Sequence, residues 1–327
     1  VRMAIAESKY AYAVSGVHVM EKSLFSMQDM DKLLGAPSYE SVVALLAEKG
    51  WQIPSDMKDI SLLLRTELLR TWQWILESAP DASIFYPLII RKDFHNLKAG
   101  IKSLLCDYDV DTYFIGPSVI SHDVMKDAIT NHDFAALPEP FATLGEETYD
   151  LLVRTGDGQS ADLAIDRECL SYMLAEAKKS HIPLLIEEAE IFVASADIKT
   201  AFRAIRAGKD IEFMTKAVAG CDTLPKDKLL EAAEKGKDAL LQYLATTPYK
   251  NGVAFLSTQP DAFEKWSDDE KIRILEALKY KSLGPDPLIA FYLYKEAEIK
   301  NIRIILAAKQ SDLPVHAVKD RLRRLYD

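Results

Sequence analysis

The chain has 327 residues, 49% of them apolar, with 50 acidic against 40 basic side chains and a net charge of −10. That length holds two or three domains, each with a sizeable core. The acidic balance excludes a general nucleic-acid binder, which needs a basic footprint. Leu, Ala, Glu and Lys dominate and only 13 residues are Gly, a mix that favours helices because straight side chains lose little rotamer freedom there. No uncharged run exceeds about 11 residues, short of the ~20 that span a bilayer. The N-terminal "VRMAIAESKYAY" lacks the apolar run of a signal peptide. The expectation is a soluble cytoplasmic protein without a direct membrane span. Cys106, Cys169 and Cys221 are odd in number and far apart, and read as reduced, buried thiols.

In chain order, "YAYAVSGVHVMEKSLF" (10–25) is a helical phrase, and "GAPSYESVVALLAEKG" opens a second helix behind Pro37. "DISLLLRTELLRTWQWILESAP" starts behind the potential caps Asp59 and Ser61. It stops at Ser78-Ala79-Pro80, since proline disfavours helix in the residue before it. "RKDFHNLKAGIKSLL" (91–105) is helical, "TYFIGPSVI" (112–120) reads as a short extended piece, and "RTGDGQS" (154–160) as the clearest loop. "SADIKTAFRAIRAGKDIEF" (195–213) is again helical. In "DPLIAFYLYKEAEIKNIRIILAAK", Asp286 is the expected N-cap and Pro287 the first helical residue. Leu293, Ile299, Ile302, Ile305 and Leu306 lie mainly on one face, and Glu296 and Lys300 are spaced four apart in the favourable order.

Three of these helices are versions of one phrase. Arg303 set on Arg203 aligns Ile305 with Ile205 and Lys309 with Lys209; Lys98 set on Arg203 aligns Asn96 with Ala201. Asn96 and Asn301 then both stand two residues before the cation. Each copy has an acid nearby, Asp93, Asp197 or Glu298, with Asp197 one position out of register. A proline that can start another amphipathic segment follows each: Pro117, Pro225 and Pro314. Units run at about 28–105, 112–209 and 215–310, and the ends 10–27 and 311–327 read as two halves of one more junction. A period near 100 is too long for a solenoid and suits three similar helical domains in tandem, 1–108, 109–212 and 213–327.

Motifs for chemistry do not emerge. "RAGKD" lacks the frame of a phosphate loop, no Cys or His pair has metal spacing, and "TGDGQSAD" breaks the calcium-loop pattern at Gln159 and Ala161. "SHD" (121–123) and "NHD" (131–133) put neighbours about 100° apart on a helix, so neither is a dyad. No catalytic, cofactor or metal residue is expected. Glu298 and Arg303 are five apart, too far round the helix to pair, so the cation looks to another helix or to solvent. Two readings stand for Asn96, Lys98, Arg203, Asn301 and Arg303: a polar clasp between helices inside each unit, or equivalent groups lining one rim and binding a partner.

"GPDPLIAFYLYKEAEIKNIRIILAAKQSDLPVHAVKDRL" resembles the C-terminal signature of the C subunit of prokaryotic V-type ATPases, equivalent to the d subunit of the vacuolar enzyme. The resemblance is carried by Gly284, Pro287, Leu288, Tyr292, Leu293, Lys295, Glu296, Glu298, Ile299, Asn301, Arg303, Lys309, Leu313 and Pro314. "YAYAVSGVHVMEKSLF" resembles the family's N-terminal phrase, except that Gly16 stands where the family has Arg; "DFHNLKAGIK" and "AIDRECLSYMLAEAKK" fit its middle. The resemblance implies an all-α fold of three domains about a pseudo-threefold axis, shaped like a funnel. It implies a non-catalytic component of the central stalk, peripheral to the membrane, that joins the D and F axle subunits to the proteolipid rotor ring (built of the K/c subunit) and transmits torque between ATP turnover and H+ or Na+ transport. The alternatives are a helical adaptor that docks protein partners without a rotary role, and an all-helical enzyme with a site assembled from distant residues.

Overall fold

A computed structural model describes residues 9–104, 109–258, 260–278, 281 and 283–326. It is all-helical: 74% of the chain is helix, with no strand among the described residues. The helices are α1 Ala11–Met20, α2 Met27–Gly35, α3 Tyr39–Glu48, α4 Ile60–Ser78, α5 Tyr86–Ser103, α6 His122–Asn131, α7 Phe141–Thr155, α8 Gly158–Ser180, α9 Pro183–Arg206, α10 Ile211–Ala217, α11 Lys226–Glu234, α12 Lys237–Leu244, α13 Val253–Thr258, α14 Pro260–Glu276, α15 Asp286–Gln310 and α16 Val315–Lys319. Among the described residues, no helix is long and apolar enough to cross a membrane.

Helix boundaries follow local chemistry. Asp59 caps α4 by accepting from the Leu62 N–H at 2.9 Å, and the helix ends at Ser78, two residues before Pro80. Ser38 caps α3 behind Pro37; Pro225 and Pro314 stand at the N-caps of α11 and α16. Three expectations about helix boundaries and loops shift. Pro117 does not start a helix: α6 begins at His122 behind Ser121, whose hydroxyl accepts from the Val124 N–H. Asp286 is the first residue of α15 rather than its cap, which is Pro285, a one-residue difference of the kind helix ends commonly show. The "RTGDGQS" loop is mostly helix. Gly156 ends α7 at φ +66°, which suits glycine, and Asp157 caps α8 through the Ser160 N–H.

The chain divides into two compact units, Phe85–Ser257 and Val1–Ile84 with Thr258–Asp327. The boundary drawn at residue 108, and Cys106, lie outside the described residues; position 212 falls inside α10. In the Phe85–Ser257 unit α8 is central, packing against α5, α7, α9 and α10 through Ala161, Ile165, Met173 and Ala177. Burial pushes the Cys221 and Cys169 thiols up to about 12.

Within this unit the "TYFIGPSVI" segment is not a strand. Residues 110–112 form a short 3-10 turn, and the rest is irregular chain tied to α5. The Asn96 amide exchanges two hydrogen bonds with Ile115, donating to its carbonyl at 3.0 Å and accepting from its N–H at 2.8 Å. The Asp93 carboxylate accepts from the Val119 and Ile120 N–H groups at 2.9 and 2.8 Å. Helix α9 repeats the device: Asp197 accepts from the Ala219 and Gly220 N–H groups at 3.0 and 2.7 Å. About two turns earlier, Glu190 accepts from those of Asp222 and Thr223 at 3.2 and 2.9 Å.

In the other unit α15 is the axis, surrounded by α4, α1, α14, α2, α3 and α16. Its first turns are buried all round, from Leu288 through Lys295, and only beyond them does a single face take over. The core joins both ends of the chain: Phe25, Met30 and Leu33 pack in one cluster with Ile302, Leu306, Val318, Leu322 and Leu325. The Lys309 ammonium donates to the carbonyls of Leu34 and Ala36 at 2.7 and 2.6 Å, closing the C-terminal end of α2.

Desolvation raises the Asp93 and Asp197 pKa values from 3.8 to about 6, outweighing the N–H donors that lower them. The folded state therefore keeps protons that the unfolded chain releases at these two groups, so their contribution to stability falls as pH rises from about 4 to about 6 and is flat above. Each carboxylate accounts for on the order of 2–3 kcal/mol of that fall. Urea denaturation between pH 4 and 7 should show the slope. Asp93→Asn and Asp197→Asn should each remove a share of it, and variants with the parental slope would refute the assignment.

Candidate functional site

The signature phrase of α15 places two kinds of polar group on one helix, one inside and one outside. Lys295, Glu298 and Asn301 follow one another three residues apart, on one side of the helix. All are buried, with 2%, 1% and 0% of their surface exposed. A buried ammonium needs a carboxylate, and Lys295 has two: its Nζ donates to Glu298 Oε1 at 2.6 Å and to Glu67 Oε1 of α4 at 3.2 Å. Arg70 holds Glu67 from the solvent side through two hydrogen bonds, of 2.9 and 3.0 Å, a bidentate geometry that adds strength and direction. The second Glu298 oxygen accepts from the Phe25 N–H at 2.7 Å. Burial pushes the Glu298 pKa up, against the lowering by Lys295 and the Phe25 N–H. The Lys295 Nζ also lies 5.8 Å from the ring centre of Trp51.

Asn301 exchanges two hydrogen bonds with Arg323, donating to its carbonyl at 2.9 Å and accepting from its N–H at 2.8 Å. This is the geometry of Asn96 with Ile115, reached in the register that the sequence alignment assigns. Ala201, in the same register on α9, has no such group; there Asp197 and Glu190 hold the following loop.

The cations separate from these amides. Arg203 and Arg303 are both exposed, and neither makes an ion pair among the described residues. Lys98 is half-buried and pairs with Asp166 at 2.6 Å. Lys300 reaches Asp268 of α14 at 2.6 Å, and Asp268 also holds the Arg323 guanidinium at 3.0 Å. The five sequence-derived candidates thus occupy three environments: Asn96 and Asn301 engaged inside their units, Lys98 in an ion pair, and Arg203 and Arg303 open to solvent. The buried pair Lys295 and Glu67, with the half-exposed Arg70 behind it, is not among those candidates. Lys295 does carry a signal, since a lysine at the end of the apolar run Leu288–Tyr294 has nowhere polar to go on its own helix except Glu298.

Gly16 is accounted for locally. A Cβ there would lie 3.1 Å from Cζ2 of Trp74, whose ring meets Phe291 edge-on at 5.5 Å. The indole lies over the α1 backbone where a larger residue would stand.

Among the described residues no group of three His, Cys, Asp or Glu side chains could hold a metal ion. Lys295, Glu298, Glu67 and Asn301 are engaged with one another and with backbone, whereas the buried Trp51 Nε1 has no hydrogen-bond partner among the described residues. Replacing Lys295 by Ala leaves the buried Glu298 without its cation and Glu67 with Arg70 alone, and should cost about 3–5 kcal/mol. Glu298→Gln keeps an acceptor for the Phe25 N–H and should cost less. Chemical denaturation of both variants checks the order, and a loss below about 1 kcal/mol for Lys295→Ala would contradict the cluster.

A family model described as ATP synthase (C/AC39) subunit matches residues 13–321. The C subunit of the V-type sodium ATPase of Enterococcus hirae is 27% identical over 314 residues, covering 94% of this chain and 96% of the relative. The C subunit of the A-type ATP synthase of Methanosarcina acetivorans is 22% identical, covering 96% of this chain and 93% of the relative. The match takes in most of both compact units and the Lys295, Glu298 and Glu67 cluster, and the chain belongs to the ATP synthase (C/AC39) subunit family, as a non-catalytic member of a V/A-type ATPase.

Proposed function

We propose that the chain is the central-stalk coupling element of its ATPase, receiving the D and F axle subunits on one side and seating on the proteolipid rotor ring (built of the K/c subunit) on the other. In this reading it is a cytoplasmic protein, peripheral to the membrane through its partners. It passes torque between ATP turnover in the head and ion movement through the membrane sector. The observation that carries the reading is the family match along nearly the full chain. The recurrence of the helix-to-loop clasp supports a division into three similar domains, 1–108, 109–212 and 213–327, arranged as a pseudo-threefold funnel. A body of repeated units can engage a ring through several weak contacts at once, and such contacts strengthen one another.

In this reading Arg203 and Arg303 are the outward partner-binding cations, Asn96 and Asn301 fix the loops at Ile115 and Arg323, and Lys98 ties α5 to α8 through Asp166. An exposed arginine without an ion pair contributes little to the fold, so Arg203→Ala and Arg303→Ala should each change stability by no more than about 0.5 kcal/mol. Their effect should appear in association with the complex, and should shrink as salt is raised. A stability loss above about 2 kcal/mol at either position would place that arginine in the fold instead.

Removing the chain from the assembled enzyme should leave ATP hydrolysis by the soluble head while ion pumping stops. Pumping at the normal rate in a complex shown to lack the chain would end this reading.

A further inference from the structure

Helix α4 is apolar on two opposite sides. Leu63, Leu64 and Ile75 face the core and are buried. On the other side Leu62, Arg65, Leu69, Trp72 and Leu76 follow at alternating steps of three and four. That is the 3.5-residue spacing of a seam that packs against a second helix. Leu69 and Leu76 are 42% and 45% exposed, Leu62 and Trp72 are half-buried, and the Trp72 ring leans edge-on against Tyr292 at 6.0 Å. Arg65 lies within this stripe, exposed, and makes no ion pair among the described residues. Arg70, one turn further on, is clamped to Glu67.

We infer that the outer face of α4 is a docking seam for one amphipathic helix of another protein of the complex, with leucine-like residues at heptad spacing and a carboxylate opposite Arg65. The leucines give the area and spacing; the unpaired guanidinium between Leu62 and Leu69 gives the register, as a single polar group in a helix seam does. A second copy of this chain fits less well. Two α4 helices packed antiparallel about Leu69 set Arg65 against Gln73, leaving the guanidinium without a carboxylate. Two chains of charge −10 also repel one another. The inference rests on the chain being part of a multisubunit complex, and adds where one partner helix lies.

Photo-reactive p-benzoylphenylalanine placed at Leu69 or Leu76 in the purified, assembled ATPase is the test. The expected result is a crosslink from both positions to one helical segment of a different protein of the complex that carries the heptad pattern. Crosslinks only to a second copy of the chain, only to lipid, or to nothing overturn the inference. Leu69→Ala with Leu76→Ala should keep the helical circular dichroism of the parent and weaken incorporation into the complex about 10- to 100-fold. Arg65→Glu should weaken it likewise and Arg65→Lys much less, and a Glu-to-Lys or Asp-to-Lys exchange at the crosslinked acid should restore Arg65→Glu. If Leu69→Asp with Leu76→Asp enters the complex with unchanged affinity, the seam is wrong while the coupling role stands. Pumping without the chain removes that role and leaves the crosslink result to stand or fall by itself.

Discussion

The fold depends on one constraint: a segment packed against a long helix carries backbone N–H groups that must find an acceptor at the contact. An unpaired buried backbone group costs roughly as much as a lost hydrogen bond. In this chain the helix itself supplies the acceptors. Asp93 takes the N–H groups of Val119 and Ile120, Asp197 those of Ala219 and Gly220, and Glu298 that of Phe25. Asn96 and Asn301 go further, since an amide both donates and accepts and can bind one loop residue at both its backbone groups. A carboxylate with two oxygens suits two consecutive N–H donors, and an amide suits one N–H and one C=O. The residue types follow from that difference in hydrogen-bonding groups.

The clasp has a price in desolvation, visible in the raised pKa values of Asp93, Asp197 and Glu298. It brings register in return. Once Asn301 is fixed on Arg323, the side chain two residues on is turned to the outside, and Arg303 stands in solvent. In α15 the polar clasp and the outward cation go together, whereas in α5 Lys98, two residues after Asn96, pairs with Asp166. The inner group sets the angle of the helix and the outer group inherits it. The clasp reading describes Asn96 and Asn301, while Arg203 and Arg303 are exposed.

Much of this is legible in the sequence because local chemistry decides it. The Asp59 cap and the Pro80 stop bound α4, and Pro225 and Pro314 open α11 and α16, as their neighbours in sequence require. What is not legible depends on partners distant in sequence. Lys295 meets Glu67 across 228 positions, and no spacing rule connects them. The all-round burial of the start of α15 hides its periodicity, because a helix enclosed on every side has no polar face to read. Pro117 looks like Pro225, yet its segment is held by Asn96 and Asp93 and the helix waits for Ser121. "RTGDGQS" has loop composition, but Gly156 and Asp157 are a C-terminal and an N-terminal signal set side by side. Two helices meet there with almost no loop between them.

The ends of the chain are tied together in the same unit as α15. Phe25 is held by Glu298, the Lys309 ammonium closes α2 at Leu34 and Ala36, Lys319 pairs with Asp31 at 2.9 Å, and Tyr326 meets Tyr294 edge-on at 4.9 Å. None of these contacts is strong alone, and the exposed Lys319–Asp31 pair adds little. They act on a helix that is itself locked by a buried lysine between two carboxylates. The N-terminal segment cannot leave without breaking the Phe25–Glu298 hydrogen bond, because its backbone is bonded to a side chain of α15 and not merely packed against it. Packed apolar surfaces alone can slide by small steps. A backbone N–H held by a buried carboxylate cannot slide without first being left unpaired in the interior. The Phe25–Glu298–Lys295–Glu67 chain is a contact of the second kind.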